Sequence, residues 1–403
     1  MRILHVNFEY GVSGGGAIAA TRLHNMLLAA GIESFFACQR QTQSGKNIIV
    51  FPPIGSLRRK IHLFLSKVLR NMWKLIPGVR RKIDLNILPT GFNAVVREIN
   101  PDIIQLHFFE NDTVSYGEIS RLKVPVLLTL HDFRYINGFD PYPLGDERFV
   151  EGFCFKNSIW IERLLWKKKR QMAEVAGLRF VGPSQWVATE CRRSMIGRGK
   201  EVFSIPNLIN SEYRYDASIQ RDKSKNIILF GCNGGYLNQY KGFPELKEGL
   251  LCLDESEQRR TELHIFGSAG DDFFIGGILV RLLGTIRDPI QLSKLYNKSD
   301  VFAFPSVTET QGMVKIEALL CGCPVVTFDR TACAEGVKHK YNGWVAADGN
   351  IKSFAEGLKW ALGLKGAGEE KRCQIARSAM RQYGEDVLIK KWLSLYNHIS
   401  AKR

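Results

Sequence analysis

The sequence lacks any long apolar run. No stretch of about 18 consecutive apolar residues occurs, so no membrane-spanning helix is predicted. The nine cysteines are scattered and lack the Cys-x-x-Cys or paired His/Cys spacings that suit zinc, so we expect reduced thiols in a cytosolic protein and no metal site. With only 14 prolines and neither a low-complexity tract nor an internal repeat, the composition is that of a globular protein.

The length predicts more than one domain. A chain of 403 residues exceeds the ~100 to 200 residues that one domain usually holds, so two domains are expected. The first residues, MRILHVNFEYG, carry one basic residue, and a polar His5 and Asn7 interrupt their apolar run. This pattern predicts a first buried strand and not a signal peptide.

Short apolar runs alternate with helix-like segments in both halves of the chain. The strand candidates are RILHVNF, SFFACQ, DIIQLHF, VPVLLTLH and LRFVGPS in the first half, and NIILFGC, ELHIFGS, DVFAFPS and CPVVTFD in the second. Such alternation predicts an α/β protein with parallel sheets covered by helices on both faces. Two series in one chain indicate two Rossmann-like domains, residues 1–205 and 206–383. A last helix is predicted within residues 384–403, and the sequence does not show which domain it packs on.

The positive charge is unevenly distributed. The chain carries 56 basic and 40 acidic residues, a net charge of +16, and residues 58–82 hold nine Lys or Arg and no acid. Within this stretch a helix is predicted over 58–76, with apolar residues on one arc, Trp73 near its edge, and basic residues opposite. The apolar set is Ile61, Phe64, Leu65, Val68, Leu69, Met72, Leu75 and Ile76, and the basic set is Arg59, Lys60, Lys67, Arg70 and Lys74.

A basic amphipathic helix of this kind is typical of an element that lies on an anionic membrane surface. The alternative is an ordinary packed helix with a solvated basic face. Residues 166–172, WKKKRQM, add a second basic cluster.

In the first half, candidate site residues lie where strands end. Gly14, Gly15 and Gly16 stand between the first strand and a helix predicted from Ala17, where backbone N–H groups can approach an anionic ligand, although a purely steric turn explains them equally. His107 and His131 each end an apolar strand candidate. Because ligands of open α/β sheets bind at the carboxyl ends of the strands, both histidines are site candidates. A structural role is the alternative for each.

In the second half, the candidates surround two turns. Lys241 follows a strand candidate in the loop NQYKGF and can hold a diphosphate, although a solvated surface lysine is the commoner case. In ETQGMVKIEALLCGCPVV, Glu309 is predicted in a loop and Glu317 in a helix that starts near Gly312. The first N–H groups of that helix, from Gly312, Met313 and Val314, would bind a phosphate between the two acids. The alternative is a helix whose glutamate faces solvent.

These motifs together resemble one known family. ETQGMVKIEALLCGCPVV resembles the Glu-x7-Glu motif of the retaining glycosyltransferases of family 4, which have the GT-B fold of two facing Rossmann-like domains with a cleft between them. The glycine loop, PDIIQLH, LLTLHDF, FVGPSQWVA, IPNLIN, YKGF, LYNKSDVFAFPS and YNGWV occur in family order over nearly the whole chain. The sequence is most similar to enzymes of bacterial capsule, lipopolysaccharide or exopolysaccharide assembly.

The resemblance implies roles for individual residues. Glu317 would accept hydrogen bonds from the nucleotide ribose, Glu309 would lie against the donor sugar, and Lys241 and the 312–314 amides would bind the diphosphate. His131 and the Gly15/Gly16 loop would come from the acceptor-binding first domain. The last helix would return to that domain.

Two positions depart from the family pattern. The arginine that often precedes the lysine of the KG motif is absent from GCNGGYLNQYKG, so another group must share the diphosphate charge. Asn210 stands where the family usually has Asp.

The implied activity is metal-independent, retaining hexosyl transfer from a UDP- or GDP-linked sugar to a glycan, with no cofactor. The basic helix would dock the enzyme at the inner face of the cell membrane, beside a lipid-linked acceptor. A GT-B-fold nucleotide-sugar epimerase is the first alternative. A basic nucleic-acid-binding protein is the second, but no stacking aromatics or recognisable motif accompany the charge, so no nucleic-acid partner is expected.

Overall fold

The structure is a computed structural model that describes residues 1–11, 14–52, 56–71, 84–175, 177–231 and 234–401. The chain divides into two compact units. Unit 1 comprises Met1–Pro206 and Ile389–Arg403, and unit 2 comprises Asn207–Leu388. The division thus falls in the polar, turn-rich segment after Ser204, and most of the last helix belongs to unit 1.

Unit 1 is built on a seven-stranded parallel sheet with the strand order β5-β3-β1-β6-β7-β8-β9. Its strands are β1 (Arg2–Val6), β3 (Glu33–Cys38), β5 (Ile48–Val50), β6 (Ile103–Leu106), β7 (Val126–Thr129), β8 (Leu178–Gly182) and β9 (Val202–Ser204), and β2 (Glu9–Tyr10) and β4 (Arg40–Gln41) form a separate pair. Its helices are α1 (Gly15–Ala29), α2 (Leu57–Asn71), α3 (Phe92–Ile99), α4 (Tyr116–Ile119), α5 (Arg148–Glu151), α6 (Trp160–Ala173), α7 (Gln185–Arg193) and most of the last helix, α14 (Glu385–Ala401).

Unit 2 contains a second seven-stranded sheet, ordered β12-β13-β11-β10-β14-β15-β16 and parallel except for the β12–β13 pair. Its strands are β10 (Asn226–Gly231), β11 (Thr261–Phe266), β12 (Phe273–Ile275), β13 (Ile278–Leu282), β14 (Val301–Phe304), β15 (Val325–Asp329) and β16 (Gly343–Ala347). Its helices are α8 (Phe243–Leu251), α9 (Glu255–Arg260), α10 (Pro289–Lys298), α11 (Met313–Leu320), α12 (Ile351–Gly363) and α13 (Gly368–Tyr383).

Burial explains why these strands read as continuous apolar runs. All four residues of β14 are buried, as are all four of β7, because helices cover both faces of a parallel sheet. In β10, Ile228 and Phe230 join one apolar cluster while Leu229 joins another on the opposite face. The nine strand candidates therefore correspond to nine observed strands, and two Rossmann-like units with parallel sheets are confirmed.

The strand order creates a switch point in each unit. In unit 2 the chain passes from β10 outward to β11 and β13, and then returns to lay β14 on the other side of β10. In unit 1 the same reversal lies between β1 and β6. Loops at the carboxyl ends of strands that flank such a reversal diverge to opposite faces and leave a crevice, where ligands of open α/β sheets bind. The loops after β10 and β14 carry Lys241 and Glu309.

The helix predicted over 58–76 is observed as α2 over Leu57–Asn71, and residues 72–76, which include Trp73 and Lys74, lie outside the described residues. Its buried residues are polar: the Ser66 hydroxyl donates to Asp112 Oδ2 at 2.7 Å, and His62 Nε2 lies 3.2 Å from Gln39 Nε2. Arg59 donates to two backbone carbonyls, so it is not a solvated basic residue.

The apolar side of α2 faces outward. We call its exposed residues the apolar face of α2: Leu57, Ile61, Phe64, Leu65 and Val68, of which Leu57 is 72% and Phe64 66% exposed. These five residues do not form the buried arc that an ordinary packed helix would have, and the membrane-surface role of α2 stays a prediction. In the part of the chain that the structure describes, no helix has both the length and the apolar character needed to cross a bilayer.

The second basic cluster is only partly exposed, because Lys167 and Arg170 reach the surface while other members are buried. Trp166 and Lys169 are buried in α6, and the Lys169 ammonium donates to the backbone carbonyls of Arg134, Asn137 and Gly138. This lysine therefore organises the loop after His131 and does not contribute an exposed charge.

Candidate functional site

An ion pair joins the two loops at the switch point of unit 2. Lys241 Nζ donates to Glu309 Oε1 at 2.6 Å, and the two side chains are 21% and 12% exposed. The Ser306 hydroxyl donates to the same carboxylate oxygen at 3.1 Å. The residue predicted to neutralise a diphosphate is thus paired with the residue predicted to lie against the donor sugar.

Gly242 allows these two loops to meet. It is the N-cap residue of α8, with a φ of 70°, a backbone conformation that L side chains rarely adopt. A Cβ atom at this position would lie 2.0 Å from the carbonyl oxygen of Pro305, which follows β14. A glycine is therefore required next to Lys241 for the loop after β10 to touch the loop after β14.

The segment around Glu309 folds as the sequence predicts. Pro305 follows the end of β14, Glu309 lies in the loop, Gly312 is the N-cap of α11, and Glu317 lies within that helix. The first N–H groups of a helix have no intrahelical acceptor, so Gly312, Met313 and Val314 present donors and the positive end of the helix dipole. The sequence places no acidic residue in the first turn of α11 that would occupy this anion site.

Glu317 is held by a tyrosine that the sequence analysis did not assign. The Tyr296 hydroxyl, on α10, donates to Glu317 Oε2 at 3.2 Å, and both side chains are buried. Burial raises the pKa of Tyr296 well above its ordinary value, so the phenol keeps its proton and remains a donor. Tyr296 lies in the LYNKSDV segment. Its position on the helix before β14 is the only sequence signal that could have suggested this contact.

A buried lysine supports the loop opposite Glu309. Lys315, on α11, donates to the backbone carbonyls of Ala332 and Cys333, the second at 2.7 Å, and burial lowers the pKa of Lys315 to about 8. Glu309 N donates to Thr331 Oγ1 at 3.1 Å in the same loop. Lys315 therefore fixes the segment that positions the backbone of Glu309, although its sequence context resembles that of any surface lysine.

In unit 1 the two candidate histidines are in contact. His107 Nδ1 lies 3.0 Å from His131 Nε2, and the rings stack with centroids 5.2 Å apart. Burial lowers the pKa of His131 to about 4, so the ring is neutral at pH 7. Asp132, the next residue, begins a turn in which its carboxylate accepts from Arg134 N at 3.0 Å.

The glycine loop meets this histidine pair. The helix predicted from Ala17 begins two residues earlier, at Gly15. A Cβ atom on Gly16 would lie 2.2 Å from the ring of Phe108 and 3.3 Å from His131 Cγ. The absence of a side chain at Gly16 therefore allows α1 to approach His131.

The predicted residues thus divide between the two units. Unit 1 holds Gly15, Gly16 and His131. Unit 2 holds Lys241, Glu309, Glu317 and the Gly312–Val314 turn. Among the described residues, no group of three or more His, Cys, Asp or Glu side chains is placed to hold a metal ion.

Comparison with known proteins identifies the part of the chain that carries the unit 2 residues. Residues 227–363 match the protein family described as Glycosyl transferases group 1. The matched region runs from β10 to the end of α12. All of the site residues of unit 2 lie within it.

Curated relatives agree over part of the sequence. The chain is 28% identical over 172 residues to an uncharacterized glycosyltransferase of Haemophilus influenzae, and 32% identical over 192 residues to one of Methanocaldococcus jannaschii. These matches cover 39% and 46% of this chain and 46% and 47% of the relatives. The chain therefore spans about half the length of these relatives.

Solved structures agree over the whole chain. Sucrose-phosphate synthase of Thermosynechococcus elongatus has a TM-score of 0.69 at 15% identity, with 100% of both chains covered. WaaG, a glycosyltransferase involved in lipopolysaccharide biosynthesis, has a TM-score of 0.61 at 15% identity over 95% of both chains. Anabaena HepE in complex with UDP-glucose has a TM-score of 0.63 at 16% identity over 99% of this chain and 100% of that one. At such identities the likeness shows the fold, and the GT-B fold is confirmed.

Proposed function

We propose that the protein is a retaining glycosyltransferase of family 4 that moves a sugar from a nucleotide-sugar donor to a glycan acceptor in cell-surface polysaccharide biosynthesis. The observation that carries the proposal is the switch point of unit 2, where Lys241 is paired with Glu309 and α11 begins after the loop that carries Glu309. One cation, one carboxylate and a row of helix N–H groups are the features that a sugar diphosphate requires.

The donor occupies this switch point. Its diphosphate lies against the N–H groups of Gly312, Met313 and Val314 and against the Lys241 ammonium. The nucleotide ribose donates its hydroxyls to the Glu317 carboxylate, which Tyr296 holds in place. The complex of HepE with UDP-glucose supports UDP as the first nucleotide to test, with GDP as the alternative.

Entry of the diphosphate changes the partner of Lys241. In the structure the Lys241 ammonium is paired with the Glu309 carboxylate. A diphosphate draws the Lys241 ammonium toward itself. The Glu309 carboxylate is then released to accept a hydrogen bond from a hydroxyl group of the donor sugar. The two residues thus exchange a contact with each other for separate contacts with one ligand.

The reaction needs neither a metal nor a cofactor on this account. The acceptor hydroxyl oxygen bonds to the anomeric carbon from the face that the diphosphate leaves, the bond from that carbon to the phosphate oxygen breaks, and the hydroxyl proton passes to that phosphate oxygen. The ammonium and the helix N–H groups stabilise the charge that develops on the nucleoside diphosphate. The configuration at the anomeric carbon is therefore retained.

The acceptor is a lipid-linked glycan, and the protein works in the cytoplasm at the inner face of the cell membrane. The apolar face of α2 supports this part of the proposal, because hydrogen bonds hold the polar side of the helix on unit 1 while five apolar residues face outward. Lys60 and Lys67 are also exposed on this helix. Apolar burial combined with attraction to anionic headgroups is how interfacial helices bind a membrane.

The test is a transfer assay with purified protein, UDP- and GDP-sugars and a membrane extract that contains lipid-linked glycans. The proposal predicts that radiolabelled sugar from one donor enters the lipid fraction with its anomeric configuration unchanged. Donor incubated without acceptor should keep its sugar identity. Conversion of the free donor into a different nucleotide sugar would instead show an epimerase, and inversion at the anomeric carbon would refute the retaining mechanism.

A further inference from the structure

Three buried imidazoles form a hydrogen-bonded row across the sheet of unit 1. His5 lies in β1, His107 directly follows β6, and His131 follows β7, on three neighbouring strands. His5 Nδ1 lies 3.2 Å from His107 Nε2, and His107 Nδ1 lies 3.0 Å from His131 Nε2. The rings stack in sequence, with centroids 5.5 Å and 5.2 Å apart. The row ends at His131, one of the site candidates of the sequence analysis.

Each ring of the row is neutral. Burial lowers the pKa of His5 and His107 well below 6.5, with like-charge neighbours as a further cause, and burial alone lowers the pKa of His131 to about 4. A neutral imidazole has one N–H donor and one unprotonated nitrogen. His107 makes both bonds, so it must donate in one and accept in the other. The N–H donors of the row therefore all point toward His5 or all point toward His131, and the tautomer of one ring fixes the tautomers of the other two.

The far end of the row decides the polarity. His5 Nε2 is buried and has no hydrogen-bond partner among the described residues. If the donors pointed toward His5, this nitrogen would carry a proton with no acceptor. If they point toward His131, it is only an unused acceptor. An unpaired buried N–H is the rarer of these two defects, so His5 carries its proton on Nδ1 and donates to His107.

The neighbouring imidazole does not change this result. His24 Nε2 lies 2.9 Å from the backbone carbonyl oxygen of Lys46, which can only accept, so His24 carries its proton on Nε2. Its Nδ1 then accepts from the Ser34 hydroxyl at 2.7 Å. Both nitrogens of His24 are engaged away from the row.

We propose that His5 and His107 are positioning residues that hold His131 as the tautomer protonated at Nδ1. His107 donates to His131 Nε2, so His131 can only donate from its other nitrogen. A ligand oxygen that meets this nitrogen must act as an acceptor, as a sugar hydroxyl oxygen can. His131 then offers the ligand an N–H donor and does not serve as a base. The choice of ligand rests on the proposed function, whereas the tautomer does not.

The first test needs no activity. Full-length protein labelled with 15N in histidine is studied by long-range proton–nitrogen NMR, which distinguishes a protonated from an unprotonated ring nitrogen. The eight histidines are assigned by single substitution. The proposal predicts that His131 is protonated at Nδ1 and unprotonated at Nε2. Protonation at Nε2, or averaging between the two forms, would overturn it.

A pair of variants tests the origin of the tautomer. His5→Phe removes the first donor and keeps a ring that can stack on Phe36, as His5 does. His5→Asn places an amide nitrogen near the position of Nδ1 and so keeps a donor. We expect His131 to lose its single tautomer in His5→Phe and to regain it in His5→Asn. An unchanged His131 spectrum in folded His5→Phe would show that the row does not set the tautomer.

Activity then separates this inference from the proposed function. We expect kcat for sugar transfer to fall about tenfold in His5→Phe, which is the rate equivalent of one hydrogen bond, and to recover in His5→Asn. A loss shared equally by both variants, with the tautomer intact, would contradict the positioning role. If the wild-type protein transfers no sugar with any donor, the proposed function fails while the NMR result on the tautomer stands.

Discussion

Lys241 and Glu309 neutralise each other across the switch point of unit 2, with 2.6 Å between the ammonium nitrogen and one carboxylate oxygen. Each residue has a predicted role toward a different part of one ligand, the diphosphate for Lys241 and the sugar for Glu309. Their pairing means that a donor has to compete with Glu309 for the lysine. The Glu309 carboxylate therefore weakens binding of the diphosphate while it assists transfer of the sugar.

We therefore expect Glu309→Gln to bind UDP more tightly than the wild-type protein and to transfer sugar more slowly. The amide removes a charge that competes with the diphosphate for Lys241, and a partly exposed ion pair of this kind is worth about 1 kcal/mol, or about fivefold in affinity. Titration calorimetry with UDP measures the first effect, and initial transfer rates measure the second.

The control is Glu257→Gln, which removes the carboxylate of another Lys–Glu pair in unit 2, 3.0 Å from Lys359. This variant should change neither quantity. Weaker UDP binding in Glu309→Gln would show that Glu309 assists and does not oppose the diphosphate.

Tyr296→Phe should weaken nucleotide binding without unfolding the domain. The change removes the hydroxyl that donates to Glu317 and keeps the ring that fills the core. A hydrogen bond to a charged group contributes about 1.5 to 3 kcal/mol, so we expect the UDP dissociation constant to rise about tenfold or more. Tyr383→Phe, at another buried tyrosine of unit 2, should leave it unchanged. Equal UDP affinity in the two variants would exclude a role for Tyr296 in holding Glu317.

The apolar face of α2 should control binding to vesicles. Changing Ile61, Phe64 and Val68 together to Gln removes exposed apolar side chains and should strongly reduce co-sedimentation with anionic vesicles. Phe274→Gln is the matched control, because Phe274 is 68% exposed in unit 2, about as exposed as Phe64. Lys60→Gln with Lys67→Gln should weaken binding mainly at low salt. Undiminished sedimentation of the triple variant would show that the apolar face of α2 does not bind the membrane surface.

The buried histidines should make the fold sensitive to mild acid. Burial lowers the pKa of His131 from 6.5 to about 4. Between these values the unfolded chain binds a proton that the folded chain does not, so the contribution of His131 to the free energy of unfolding is complete above pH 6.5. It falls as the pH drops toward 4.

One such group lowers the free energy of unfolding by up to about 2 kcal/mol at pH 5 relative to neutral pH. We expect the loss between pH 7 and pH 5, measured by urea unfolding, to be smaller in His131→Phe than in the wild-type protein. Parallel losses in the two proteins would show that the pKa of His131 is the same in the folded and unfolded states.

Much of the fold could be predicted because its signals are local. The apolar runs mark strands covered on both faces. Pro305 marks the end of a strand and Gly312 the start of a helix, so Glu309 is placed in the loop between them and Glu317 in the helix. The shift of α1 from Ala17 to Gly15 is small, because glycines adopt the helical conformation as well as that of a turn. Local patterns thus located most of the residues that the site brings together.

The rest depends on contacts that no local pattern encodes. A helical wheel shows which residues of α2 share a side, but not which side the protein covers, and here His62 and Ser66 face inward. Lys315 and Lys169 resemble surface lysines until the carbonyls that surround them are known. The partnership of Tyr296 with Glu317 joins residues 21 positions apart on two helices. Such pairs follow from helix packing, which the sequence specifies only through the complete fold.

The most direct test of the central claim is the thermal stabilisation of the purified protein by UDP, GDP and their sugars. Binding to the folded state raises the apparent melting temperature by mass action. We expect one nucleotide series to stabilise the wild-type protein, and Lys241→Ala and Glu317→Ala to lose that stabilisation while melting normally without ligand. Full stabilisation of both variants would contradict the site, and no stabilisation of the wild-type protein by any nucleotide or nucleotide sugar would contradict the proposed function.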